Sequence, residues 1–111
     1  MEILESQRPG AVVIHLKGRL DASNASQLEQ KLLALIAAGN TRLIVDCEAL
    51  EYISSAGLGV LLVAAKRLKN NNGEVGLAAL KEQIKEVFDI AGFSAIFHVH
   101  RSLDEALSAL P

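Results

Sequence analysis

The sequence predicts a single α/β domain, a mixed and mainly parallel β-sheet with four α-helices. Three observations lead there. Apolar residues switch repeatedly between a two-residue period and one of about 3.6 residues along the chain. Turn-forming or capping residues separate nearly every such segment. The resulting order is strand, strand, helix, then strand and helix repeated three times, which demands crossover connections and so brings successive strands parallel. A length of 111 residues suits one core, and with half of them apolar there is enough to bury.

Residues 11–18 alternate, with Val12, Ile14 and Leu16 on one face and Val13, His15 and Lys17 on the other, which predicts a strand. Pro9-Gly10 turns the chain before it, so residues 2–7 form a short strand that pairs antiparallel with it. Ser23 and Asn24 are helix caps. After them Ala25, Leu28, Leu32, Leu35 and Ile36 recur at helical spacing until Gly39-Asn40. The run RLIVD at 42–46 is continuously apolar at its centre, as in a strand buried on both faces. A loop, CEALEYISS, is expected next. Leu58, Leu61, Leu62, Ala65 and Leu68 then mark a second helix, stopped by Asn70-Asn71-Asn72-Gly73. Residues 74–79 alternate again through Val75, Leu77 and Ala79. Ile84, Val87, Phe88 and Ala91 mark a third helix with Gly92 past its end, and AIFHV at 95–99 reads as a short strand. Ser102 and Glu105 form a capping box before a last helix carrying Leu103, Ala106, Leu107 and Leu110.

Composition narrows the function classes. A formal charge of -2 provides no electrostatic reason to expect nucleic acid or an anionic membrane as a direct partner. The one cluster of basic residues, Lys66, Arg67 and Lys69, lies where cations favour the last turn of a helix. The opening MEILESQRPG has no basic region followed by an apolar run, so it does not read as a secretory signal. The longest run of apolar residues and glycines, Ala56–Ala65, is about half the length that spans a bilayer. The lone Cys47 forms no intrachain disulfide, fits a reducing compartment and reads as a packed thiol. The expectation is a soluble, cytoplasmic protein.

The most informative stretch is Ile53-Ser54-Ser55-Ala56-Gly57-Leu58-Gly59, between a buried strand and an amphipathic helix. In open sheets of this kind, ligands and partners meet the loops at the carboxyl ends of the strands. Two hydroxyls at a helix start are therefore well placed for function, and the small residues after them admit a close approach. The plain structural reading is that one serine caps the helix while the glycines let it pack closely. Other chemistries fail on spacing. Gly57-Leu58-Gly59 opens like a dinucleotide fingerprint, but Leu62 occupies the third glycine position. Ile53 stands where a nucleophile elbow around Ser55 needs glycine. His98 and His100 share a strand face, but no carboxylate or cysteine at ligand spacing accompanies them, so no metal site is expected. No nucleophile–base–orienter set is visible, so the chain reads as a non-enzyme without a cofactor. Asp21 reads as a turn residue before the first helix, and Asp46, Glu48 and Glu51 as negative charge around the serine loop.

The chain resembles the STAS domain family, and within it the stand-alone bacterial anti-sigma factor antagonists. Val13–Asp21 (VIHLKGRLD) is similar to the family's second strand and its G-x-x-D turn. Leu43–Gly59 (LIVDCEALEYISSAGLG) is similar to the central strand and phosphorylation loop, and Gly92–Leu107 (GFSAIFHVHRSLDEAL) to the last strand and helix. The resemblance implies one STAS domain over residues 1–111. It places the acceptor serine two residues before the loop glycine, within D-S-S-G; counting back from Gly57 gives Ser55. Ser54 stands in the usual aspartate position and is a competing acceptor, and Ala56 replaces the second serine. The implied partner-binding residues are Asp21, Ser54, Ser55, Ala56, Gly57 and Leu58. The implied function is partner switching. The unmodified antagonist sequesters an anti-sigma factor that is also a serine-protein kinase, phosphorylation of Ser55 releases it, and a Ser/Thr phosphatase resets the switch. The alternative the family offers is a constitutive subunit of a membrane-bound lipid-transport ATPase complex.

Overall fold

In the computed structural model, which describes residues 1–109, the chain runs β1 (Glu2–Arg8), β2 (Ala11–Leu20), α1 (Ala25–Ala37), β3 (Arg42–Ile53), α2 (Ser55–Asn70), β4 (Glu74–Ala78), α3 (Glu82–Ile90), β5 (His98–His100) and α4 (Leu103–Ser108), with a 3-10 turn at Phe93–Ala95 before β5. The strands lie in the sheet in chain order, β1-β2-β3-β4-β5. β1 pairs antiparallel with β2, and every other pair is parallel. This is the predicted mixed, mainly parallel sheet with four helices. Because each crossover steps to the adjacent strand in one direction, right-handed connections put α1, α2 and α3 on the same face.

Alternation within the strands divides the core accordingly. Val12, Ile14, Leu16, Leu43, Val45, Val75 and Leu77 pack with Leu28, Leu32 and Ile36 of α1, Leu61 and Leu68 of α2, and Ile84 and Phe88 of α3. On the other face, Ala11, Val13, Ile44 and Ala78 meet Ala106, with Leu103 and Leu107 beside it, under the short α4. The RLIVD centre is buried on both faces as expected. Leu110, expected on the last helix, lies outside the described residues.

The structure corrects two element boundaries. The expected loop CEALEYISS is mostly strand, because β3 continues to Ile53 alongside an equally extended β2, whose Leu20 is register partner to Ile53. A register shift between His15 and Lys17 admits one extra β3 residue, and beyond it Leu50 and Ile53 still point into the core. Their burial, at about 1.5–3 kcal/mol per large side chain, outweighs the charged residues that made the stretch look like a loop. The last strand begins at His98 rather than Ala95, since 93–95 turns so that Phe93 and Phe97 both reach Phe88. The three rings stand edge to face, with centroids 5.8–6.5 Å apart.

The helix ends follow their local chemistry with small departures. Gly39, at φ 98°, reverses the chain after α1, and its N–H donates to the Ile36 carbonyl. At α4 the Glu105 N–H donates to Ser102 Oγ as the capping box requires, but the Glu105 carboxylate accepts from the Arg101 N–H, one residue further out. Asn24 is the N-cap residue of α1, yet its side chain does not cap: Oδ1 accepts from the Asp21 N–H and Nδ2 donates to the Arg19 carbonyl.

Candidate functional site

Where β3 ends and α2 begins, the two serines take different jobs. Ser54 is extended, at φ -92° and ψ 172°, and its Oγ accepts a 3.2 Å hydrogen bond from the Gly57 N–H. Its carbonyl accepts from the Leu58 N–H at 2.9 Å. Ser54 is therefore the N-cap, with its hydroxyl occupied by one of the helix's otherwise partnerless amides. Ser55 is the first helical residue and is exposed, as is Ala56, while Gly57 and Leu58 are buried beneath them. The hydroxyl of Ser55 thus projects from the positive end of a 16-residue helix.

Gly57 explains why the serines sit where they do. A Cβ built on it would lie 2.7 Å from Leu20 Cγ and 3.0 Å from Ile53 Cγ1. Only glycine lets the first turn of α2 lie directly on the ends of β2 and β3, and this holds Ser54 and Ser55 at the rim of the sheet. Gly59, two residues on, has nothing within 4 Å of such a Cβ.

The turn after β2 is tied to the same place. The Ser54 N–H donates to the Leu20 carbonyl at 2.9 Å, so Asp21 follows immediately on the residue that anchors the serine loop. Asp21 Oδ1 accepts from both the hydroxyl (2.5 Å) and the N–H (3.0 Å) of Ser23. These two bonds, hydroxyl first, hold its carboxyl below the ordinary aspartate value, with Arg19 adding a smaller pull. Beside them the Arg19 guanidinium lies 4.1 Å from the centre of the Tyr52 ring. Arg19 and Tyr52 are register partners on β2 and β3, and their pairing escaped the sequence reading because it depends on the register shift.

The remaining expected site residues separate. Asp46 does not flank the serine loop. It sits seven residues earlier on β3, on the α4 face, where its Oδ2 meets His15 Nδ1 at 2.8 Å. Seven strand residues span roughly 20 Å, too far to repel a charge at Ser55 effectively. Glu51 is exposed near the end of the strand. Cys47 is wholly buried, and its thiol is pushed up to about 12, mainly by burial and further by neighbouring Asp46, as a packed rather than nucleophilic group behaves. His98 pairs with Glu74 at 3.0 Å. No helix among the described residues is long and apolar enough to cross a membrane.

Known proteins resemble this chain in sequence and in fold. BtrV of Bordetella bronchiseptica, a candidate anti-sigma factor antagonist, is 40% identical over 109 residues, covering 98% of this chain and 94% of that one. An anti-sigma factor antagonist from Mycobacterium paratuberculosis has a crystal structure similar at a TM-score of 0.90 and 28% identity, over 98% of this chain and 92% of that one. The anti-sigma factor antagonist SpoIIAA, in its unphosphorylated form, is similar at a TM-score of 0.85 and 25% identity, over 96% and 94% of the two chains. A model of the STAS domain matches residues 3–106. With that model matching nearly its whole length and a relative 40% identical across it, the chain belongs to the STAS domain family.

Proposed function

We propose that this protein is an anti-sigma factor antagonist controlled by phosphorylation of Ser55. The observation that carries the reading is the division of labour at the start of α2: Ser54 is committed to its capping bond, while Ser55 is exposed one residue later. The relatives support it, since BtrV and the Mycobacterium protein bear the antagonist description and SpoIIAA is distinguished by its phosphorylation state. The partners follow from the same reading: an anti-sigma factor with serine-kinase activity, and a Ser/Thr phosphatase that resets the switch. The binding surface is built from Asp21, Ser54, Ser55, Ala56, Gly57 and Leu58. Exposed Ser55 and Ala56 make the contact, and buried Gly57 and Leu58 support it from below.

The physics suits a switch that leaves the fold intact. A phosphate on Ser55 adds a charge of about -1.5 to -2. The free amides and dipole of α2 tolerate that anion, so the antagonist itself is little disturbed. A partner packed against Ser55 has no such compensation and must desolvate the new charge, so the interface is lost.

The test is to incubate the protein with its cognate kinase and ATP and map the phosphate by mass spectrometry. One phosphate is expected, on Ser55 and not on Ser54. Ser55→Ala keeps partner binding but resists release by ATP, and Ser55→Asp weakens binding. Phosphate on Ser54 alone refutes the assignment. Absence of modification on either serine, with Ser55→Asp binding as tightly as the unmodified chain, refutes the switch.

A further inference from the structure

The α4 face of the sheet carries an arrangement that the antagonist function does not use. Ser6 on β1, His15 on β2 and Asp46 on β3 form a line across three strands. Ser6 Oγ lies 3.0 Å from His15 Nε2, and His15 Nδ1 lies 2.8 Å from Asp46 Oδ2. The sequence conceals this set, because the three residues are brought together only by the registers of two strand pairs, one antiparallel and one parallel.

The bonding order has a chemical consequence. A carboxylate only accepts hydrogen bonds, so the proton of the neutral imidazole is held on Nδ1, facing Asp46. Nε2 then presents its lone pair to Ser6, whose hydroxyl donates to it. This is the order of a nucleophile, a general base and an orienting carboxylate. The side chains of Asp46 and His15 are 12% and 30% exposed, so the pair is shielded while the imidazole edge stays accessible.

The surroundings admit a substrate. β1 is an edge strand, so of the successive amides of Ser6 and Gln7 one points away from β2 into solvent, a donor within one residue of the hydroxyl. Leu4, register partner of His15 and 57% exposed, offers an apolar rest on the same face. Leu4, His15, Lys17, Asp46 and Glu48 line a shallow depression on the far side of His15 from the hydroxyl, which Ser6 does not itself line.

We propose that Ser6 is a nucleophile that accepts the acyl group of small activated esters, with His15 as its general base and Asp46 as the residue that positions His15. Ser6 Oγ forms a bond to the ester carbonyl carbon while its proton passes to His15 Nε2. The carbon–oxygen bond to the alcohol then breaks, and the leaving oxygen takes the proton from His15. The acyl group remains on Ser6. Water, giving its proton to the same nitrogen, attacks the acyl carbon, and the proton returns to Ser6 Oγ as free acid leaves. The exposed edge amide serves as a single oxyanion donor.

The test uses p-nitrophenyl acetate for rates and a fluorophosphonate for trapping, where the Ser6 oxygen displaces fluoride and forms a stable bond to phosphorus. The expected result is phosphonylation at Ser6 by peptide mass spectrometry and p-nitrophenol release roughly 100-fold faster than in Ser6→Ala, the scale general base catalysis supplies. Ser26→Ala, at an exposed position of α1 on the opposite face of the sheet, retains the full rate. Asp46→Asn, checked by circular dichroism to be folded, slows both reactions and alters their pH profile, which a merely structural role would leave unchanged. A rate in Ser6→Ala equal to that of the unaltered protein, or a fluorophosphonate label absent from Ser6, overturns the proposal and leaves the line as a clamp between strands. The outcome is independent of whether Ser55 is phosphorylated.

Discussion

Replacing Gly57 with alanine tests how the serine loop is held. In most helix positions this change is favourable by up to about 1 kcal/mol, because alanine loses less backbone freedom on folding. At Gly57 the new methyl would stand 2.7 Å from Leu20 Cγ, 2.9 Å from Leu20 Cδ2 and 3.0 Å from Ile53 Cγ1. Leu20 is wholly buried and Ile53 nearly so, so neither has room to swing away. Overpacking of this kind costs about 1–3 kcal/mol. Gly57 also lies in the first turn, where the propensity gain is least, so the clash wins and Gly57→Ala destabilises by about 1–2 kcal/mol net. For a domain of this size that lowers Tm by roughly 4–8 °C. The strain is relieved by lifting the first turn off the sheet, which stretches the bond from the Gly57 N–H to Ser54 Oγ and displaces Ser55, so partner binding weakens too. Gly59→Ala is the internal control. With nothing within 4 Å of its Cβ, the propensity term acts alone and stability rises by about 0.5–1 kcal/mol. Urea and thermal denaturation of the two variants must therefore move in opposite directions. If Gly57→Ala is as stable as the parent, or moves with Gly59→Ala, the close approach of α2 to Leu20 is not what fixes the loop.

Three further outcomes are expected. Ser54→Ala loses the capping bond and about 1 kcal/mol in urea denaturation, whereas Ser55→Ala stays within about 0.5 kcal/mol, since exposed Ser55 makes no such bond. Cys47, its thiol pushed up to about 12 by burial, reacts with a thiol reagent at neutral pH only as the chain unfolds, so the modification rate should track global unfolding across a denaturant series. The Asp21 carboxyl, lowered by its bonds to Ser23, titrates below the ordinary aspartate value by NMR and moves back up in Ser23→Ala. A depressed folded-state pKa favours folding above the ordinary carboxylate range and loses that contribution as pH falls through the folded value. The stability difference between the parent and Ser23→Ala should accordingly shrink in acid.

Much of the fold was legible because its signals are local. The helical spacing of Leu28, Leu32 and Ile36, the alternation of Val12, Ile14 and Leu16, and the stop at Gly39-Asn40 each report on a few neighbouring residues, and each stands as expected. The serine loop was legible for the same reason: a strand end, two hydroxyls and a glycine occur within five positions, and local chemistry makes Ser54 the cap. The rest depended on partners distant in the chain. Charged Glu48 and Glu51 disguised the second half of β3, which becomes strand because β2 extends beside it and the core receives Leu50 and Ile53. Packing of Phe93 and Phe97 on Phe88 moved the start of β5, since a turn at 93–95 gathers two rings that an extended strand would hold about 13 Å apart. Asp46 left the serine loop for His15, and Ser6 joined them, through strand registers that no local period encodes. A residue's neighbours along the chain set which face it presents, while the pairing of whole strands sets what that face meets.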